Sequence, residues 1–226
     1  MTAKTLAKPV RNFPVPEPVV DHSDIEDLRF RALLGETEWA KLPVPIRQRF
    51  SKRLGNGSTV VYVGHVVENW MSRSGWLLAQ IARLIGGPLP FSRDANVASV
   101  VTVTEEPATG GQIWTRLYAR RISFPQVIHS SKRFAGPTGL EEHVGCGLGM
   151  ALRVSVADRV LIFRSDYYFM TLRGWQIVLP GWLCPGALSV SHAELGDGRF
   201  RFTLEILHPR FGLLLRQIAV FREAQP

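Results

Sequence analysis

The chain has 226 residues, is 46% hydrophobic and 20% charged, and carries 20 Gly, 15 Pro and two Cys, which excludes collagen-like, disordered and disulfide-scaffold classes. No apolar run approaches the roughly 18 residues that a membrane-spanning helix needs, and the first residues contain no continuous apolar leader segment. The formal net charge of +8 is spread along the chain without a zinc-finger, RRM or KH pattern, so a soluble, cytoplasmic protein with no nucleic-acid partner is expected.

Residues 1–22 hold Pro9, Pro14, Pro16 and Pro18. Proline at near-alternate positions blocks helix, so an extended arm is predicted there, ahead of one domain over 23–226. Ser23 and Glu26 have capping-box spacing, and Ile25, Leu28, Phe30 and Leu33–Leu34 follow with helical period until Gly35. A second helix is predicted from about 43 to 54, with Ile46, Phe50 and Leu54 on one face. Residues 59–67 are β-branched and read as a strand. Asn69 is placed as the cap of a third helix that runs to about Ile85, where Gly86-Gly87-Pro88 stops it.

Beyond residue 97 the helical period disappears. Strands are predicted over 97–104, 112–119, 122–130, 148–156, 159–166, 172–178, 188–194, 199–207 and 212–221, most of them separated by turn signals. Around Gly196-Asp197-Gly198 the alternation is clear: Arg199, Arg201 and Thr203 face one side, Phe200, Phe202 and Leu204 the other. Serial strands with tight turns imply an antiparallel meander, and closure would remove its edges. The predicted fold is α+β: a strongly curved antiparallel sheet of about eight to ten strands, a barrel or cone, with two or three N-terminal helices packed on or in it.

Ordered motifs run through this pattern. They are Leu33-Leu-Gly35 with Trp39-x-x-Leu-Pro43, Trp114-Thr-Arg116, Leu140-x-Glu142-x-x-Gly145, Leu179-Pro180-x-x-Leu183-x-Pro185, Glu194 before Asp197-Gly-Arg-Phe200, and Pro209-x-x-Gly212-Leu-Leu. In this order the chain resembles an uncharacterised bacterial domain-of-unknown-function family, over roughly residues 31 to 223. Members of that family occur alone or fused behind a saccharopine-dehydrogenase-like NAD(P)-binding domain. The resemblance implies a mostly antiparallel β fold with a few helices and no agreed activity. The chain departs from the family after Arg116, where it reads Ala119-Arg-Arg-Ile-Ser-Phe-Pro125, and Pro125 predicts a bent or bulged strand. It also carries no Gly-x-Gly-x-x-Gly after a strand, so no dinucleotide domain of its own.

Glu142 is the first candidate for chemistry. A carboxyl near a sheet interior would have a raised pKa and could act as acid or base; the plain alternative is a salt bridge. Arg116 shares a strand face with Trp114 and could clamp a carboxylate or phosphate, or simply pair with Glu142 or Glu194. His65, His129 and His192 are candidate proton partners, against the plainer role of hydrogen-bonded structural histidines. No His-x-His, His-Glu-x-x-His or Cys-x-x-Cys spacing exists, so no metal site is predicted. Cys146 lies between glycines near His143; a nucleophile and a small buried hydrophobe are both open readings. Trp114, Tyr168, Trp175 and Trp182, with Glu194, are the candidate ligand-facing groups.

Three functions fit these readings. The first is binding of a hydrophobic small molecule, such as a lipid, isoprenoid or polyketide, inside the barrel. The second is a cofactor-independent cyclase, isomerase or dehydratase in the same cavity, using Glu142, Arg116 and a histidine. The third, implied only by the resemblance, is a partner subunit for an NAD(P)-dependent reductase.

Overall fold

In a computed structural model of the chain, residues 26–55 and 57–224 are described. Three short helices come first: α1 (Arg29–Leu34), α2 (Glu36–Lys41) and α3 (Val44–Phe50). Strand β1 (Thr59–Met71) follows, then α4 (Arg73–Ala82), which runs into a 3-10 turn. The remaining strands are β2 (Val97–Glu106), β3 (Gly111–Tyr118), β4 (Gln126–Arg133), β5 (Glu141–Gly145), β6 (Leu148–Ala157), β7 (Val160–Leu172), β8 (Trp175–Val178), β9 (Ala187–Gly196), β10 (Arg199–His208) and β11 (Gly212–Glu223).

The sheet closes on itself. Its order is β6-β5-β4-β3-β2-β1-β11-β10-β9-β7, and β7 pairs back to β6, giving a closed ten-stranded antiparallel barrel. Strand β8 stands outside the ring, paired to the far half of β7. Closure leaves the ring without a free edge. Its shortest seam lies between β4 and β5, which pair over Ser131–Arg133, and β7 and β9 pair only over Leu161–Arg164.

Antiparallel strands send their connections alternately to the two ends of the barrel. The chain enters β1 at one end, and α1–α3 close that end. Phe30, Trp39, Ile46 and Phe50 pack there against Leu140, Leu152, Leu161 and Phe163. Phe30 meets Phe50 edge-on at 5.2 Å and Phe134 at 4.9 Å. At the other end α4 lies on β11. The Ser72 Oγ accepts from the Gly75 amide at 3.0 Å and caps the helix. Gly75 then lets the helix touch the strand: a Cβ there would sit 2.0 Å from the Leu214 carbonyl oxygen.

Several expected boundaries move. Ser23 lies outside the described residues, and α1 starts at Arg29 with no side-chain cap. Gly35, at φ 76, ends α1 as expected and then admits α2, which the sequence pattern does not announce. Asn69 does not cap a helix: it pairs with Gln217 in the β1–β11 ladder, and its side-chain amide donates to the Ser92 carbonyl at 2.8 Å. The expected strand 122–130 shifts to 126–133, with Pro125 left just before it. Residues 172–178 are not one strand but a turn at Arg173-Gly174 leading into β8. Strand β5, which carries Glu142, reads as loop in the sequence because it is short and flanked by glycine.

Candidate functional site

The barrel holds a cavity of about 460 Å3. Its walls are mostly apolar. Phe50 of α3 and Phe163 stand at one end, Ile81, Leu89, Leu179 and Leu183 at the other, with Trp114, Ile128, Met150 and Phe202 between. Side chains alternate across a strand, so every second residue faces in. On β3 the inward pair is Trp114 and Arg116; on β4 it continues through Ile128, Ser130 and Lys132.

One polar cluster interrupts the apolar wall. Lys132 and Glu142 stand opposite each other on β4 and β5. Lys132 Nζ donates to Glu142 Oε2 at 2.8 Å. Ser130 Oγ donates to Glu142 Oε1 at 2.6 Å and accepts from Arg116 Nη1 at 2.9 Å. Arg116 Nη2 lies 3.4 Å from the same carboxylate oxygen. Lys132 and Glu142 are buried, while Arg116 keeps 22% of its side chain exposed. The Lys132 ammonium also stands 5.1 Å from the Trp114 ring centroid. Two cations against one anion leave the cluster with one surplus positive charge.

The protonation of the cluster follows from its surroundings. Burial alone would raise the Glu142 pKa, but the charges of Lys132 and Arg116 and the hydrogen bonds from Lys132 and Ser130 outweigh it and hold the carboxyl at about 2. The raised carboxyl pKa expected from the sequence is therefore reversed, because burial brings its own counterions. Burial pulls Lys132 below the usual lysine value, opposed by Glu142 and reinforced by Arg116. Tyr168, also on the cavity wall, donates to the Gly186 carbonyl at 2.9 Å and is pushed up to about 12, chiefly by burial.

Four of the candidate residues thus meet in one place: Trp114, Arg116, Glu142 and Tyr168. The others do not line the cavity. His129 sits one position off the inward face and is hydrogen-bonded to Thr115 at 3.0 Å on the outside. His65 is exposed on β1. His192 is fully buried in a cage of Phe50, Phe200 and Phe202. Its Nε2 is 2.8 Å from Arg49 Nη1. Guanidinium can only donate, so that ring nitrogen accepts and the imidazole is neutral. Burial, then the Arg49 charge, push its pKa well below the ordinary value. Glu194 pairs with the same Arg49 at 3.5 Å, away from the cavity. Trp175 and Trp182 are 78% and 80% exposed. His143 bonds to Glu141 at 3.1 Å, and Cys146 is exposed in the β5–β6 turn.

Among the polar residues of the cavity wall, Lys132, Ser130, Gln217 and Tyr118 are not among the candidates the sequence offers. Lys132 carries a signal of its own: it is the only lysine in the described strands, and it continues the Ile128, Ser130 alternation.

Fold and site together define a closed β-barrel with an internal, mostly apolar cavity, open toward the α4 end, and one charged cluster in its wall. The chain belongs to the family described as domain of unknown function (DUF4166), whose model matches residues 42–221. No curated protein matches the chain. No solved structure matches it.

Proposed function

We propose that the barrel binds a hydrophobic small molecule with one anionic head group. The observation that carries this reading is the cavity itself, a mostly apolar space with a single charged cluster of net positive charge. Its volume falls within the ~300–1,000 Å3 usual for small-molecule sites. A lipid, isoprenoid or polyketide-like chain would fill the apolar part. Arg116 is the group best placed for a carboxylate or phosphate head. It is the most exposed member of the cluster, and its 3.4 Å approach to Glu142 is loose enough to admit a competing anion.

The acid/base enzyme is the second reading, and one observation favours it: a buried lysine of lowered pKa beside a cavity is a possible base or nucleophile. Two features weigh against it. A carboxyl held at about 2 is ionised throughout the neutral range and is a poor proton donor. Among the described residues, no histidine lines the cavity. The reading of a reductase subunit rests on the family resemblance alone.

The test is displacement of a fluorescent fatty acid from the purified full-length chain. The binding reading predicts stoichiometric uptake that Arg116→Met weakens. Absence of uptake, with release of a modified product from candidate substrates instead, would favour the enzyme.

A further inference from the structure

The two ends of the barrel differ sharply in what they show to solvent. At the end opposite α1–α3, the connections are 72–96, 119–125, 146–147, 173–186 and 209–211. These connections present large apolar side chains outward. Leu84, Ile122 and Phe124 are 85%, 84% and 87% exposed, and Trp76, Trp182 and Phe211 are exposed as well. The four short connections at the helix-plugged end, 107–110, 134–140, 158–159 and 197–198, expose no large hydrophobic residue, and the helices over that end expose only Leu28 and Val44, each about half.

The same connections carry the charge. Arg73, Arg83 and Arg93 lie in the first, Arg120 and Arg121 in the second, Arg173 in the fourth and Arg210 in the last. The single acid among them is Asp94, so seven positive charges face one negative. None of the seven is ion-paired among the described residues. Where Arg83, Arg93 and Arg121 bond through their side chains, the acceptors are neutral: the Gln80 side-chain carbonyl and the backbone carbonyls of Ser72 and Ala95. The cavity opens toward this end: Ile81 and Leu183 line it and are more than half exposed.

We infer that this end docks on an anionic lipid bilayer surface. Exposed apolar and aromatic groups among arginines are the composition of an interfacial anchor: the rings enter the headgroup boundary while the guanidinium groups meet lipid phosphates. A second copy of the chain is disfavoured as the occupant, because a two-fold pairing would bring seven arginines against seven. The docking face does not depend on what the cavity holds. It deepens the binding reading by placing the cavity mouth against the phase in which an apolar ligand dissolves.

The experiment is co-sedimentation of the full chain, stripped of lipid, with phosphatidylcholine vesicles and with phosphatidylcholine–phosphatidylglycerol vesicles. Binding is expected to the anionic vesicles only and to weaken with salt. Arg173→Glu with Arg210→Glu should lower it about twentyfold or more, at about fivefold per lost arginine. Ile122→Ser with Phe124→Ser should abolish it while leaving the unfolding midpoint unchanged, since both side chains are almost fully exposed. No binding to anionic vesicles at low salt would overturn the inference. So would binding that the serine pair leaves unchanged, or a dimer that the serine pair dissociates without any vesicle binding. Uptake of the fluorescent fatty acid is read separately in vesicle-free solution, so failure of one reading does not mimic failure of the other.

Discussion

Lys132 and Glu142 face each other across the β4–β5 ladder, and their charged atoms are 2.8 Å apart inside the barrel wall. The pair is buried, so each charge depends on the other for the solvation it lost. Removing one partner should cost more than removing both. Lys132→Met is expected to destabilise the protein by about 3 kcal/mol, and Lys132→Met with Glu142→Leu to recover most of that loss. Urea unfolding of the three proteins measures it. A double variant weaker than the single one would contradict the pairing.

The same carboxylate sets a pH dependence. Glu142 titrates at about 2 in the folded protein against an ordinary 4.5. A depressed pKa means that the unfolded chain binds the extra proton first. The stabilisation is therefore complete above 4.5 and is lost as pH falls toward 2, up to ~3 kcal/mol in all. Glu106, held at about 2 chiefly by its hydrogen bond from Arg133, titrates in the same window. Glu142→Gln should thus flatten part of the acid limb of stability against pH, not all of it. An unchanged slope in that variant would place the titration elsewhere.

Arg116 should divide ligands by charge. Arg116→Met is expected to weaken a fluorescent fatty acid by roughly ten- to a hundredfold, the worth of a hydrogen bond to a charged group. It should leave the matching alcohol almost unaffected. Equal loss for both probes would mean that Arg116 shapes the cavity without meeting a head group.

The α4–β11 contact should show in a single methyl group. Gly75→Ala places a Cβ 2.0 Å from the Leu214 carbonyl oxygen, so the helix must lift. A loss of roughly 1–3 kcal/mol is expected, as for overpacking generally. Gly181→Ala, where a Cβ would meet nothing within 4 Å, is the control and should be neutral. Thermal unfolding of both variants checks the contrast.

Much of the barrel is legible in the residues themselves. The Gly196-Asp197-Gly198 turn and the alternation after it put Phe200 in the core and leave Arg199 and Arg201 outside, as expected. Trp114 and Arg116 share the inward face because two-residue spacing fixes it. The site was legible only in part, and the reason is register. Ending the fourth strand at Ser130 hides Lys132, and missing the short β5 hides the rung that sets Lys132 opposite Glu142. The direction of the carboxyl's pKa shift is hidden for the same reason, since its counterions come from strands that only the sheet brings together. The histidines stayed attractive because burial and facing cannot be read from a single position: His129 points out, and His192 is walled in by Phe50, a helix residue 142 positions earlier (192 − 50).

Native mass spectrometry of the protein purified gently from cells that make it, followed by organic extraction, tests the proposed apolar ligand with its anionic head. A stoichiometric acidic, lipophilic adduct is expected, retained through purification and depleted in Arg116→Met. Protein that is empty when isolated, and that takes up no fatty acid when offered it, would contradict the binding function.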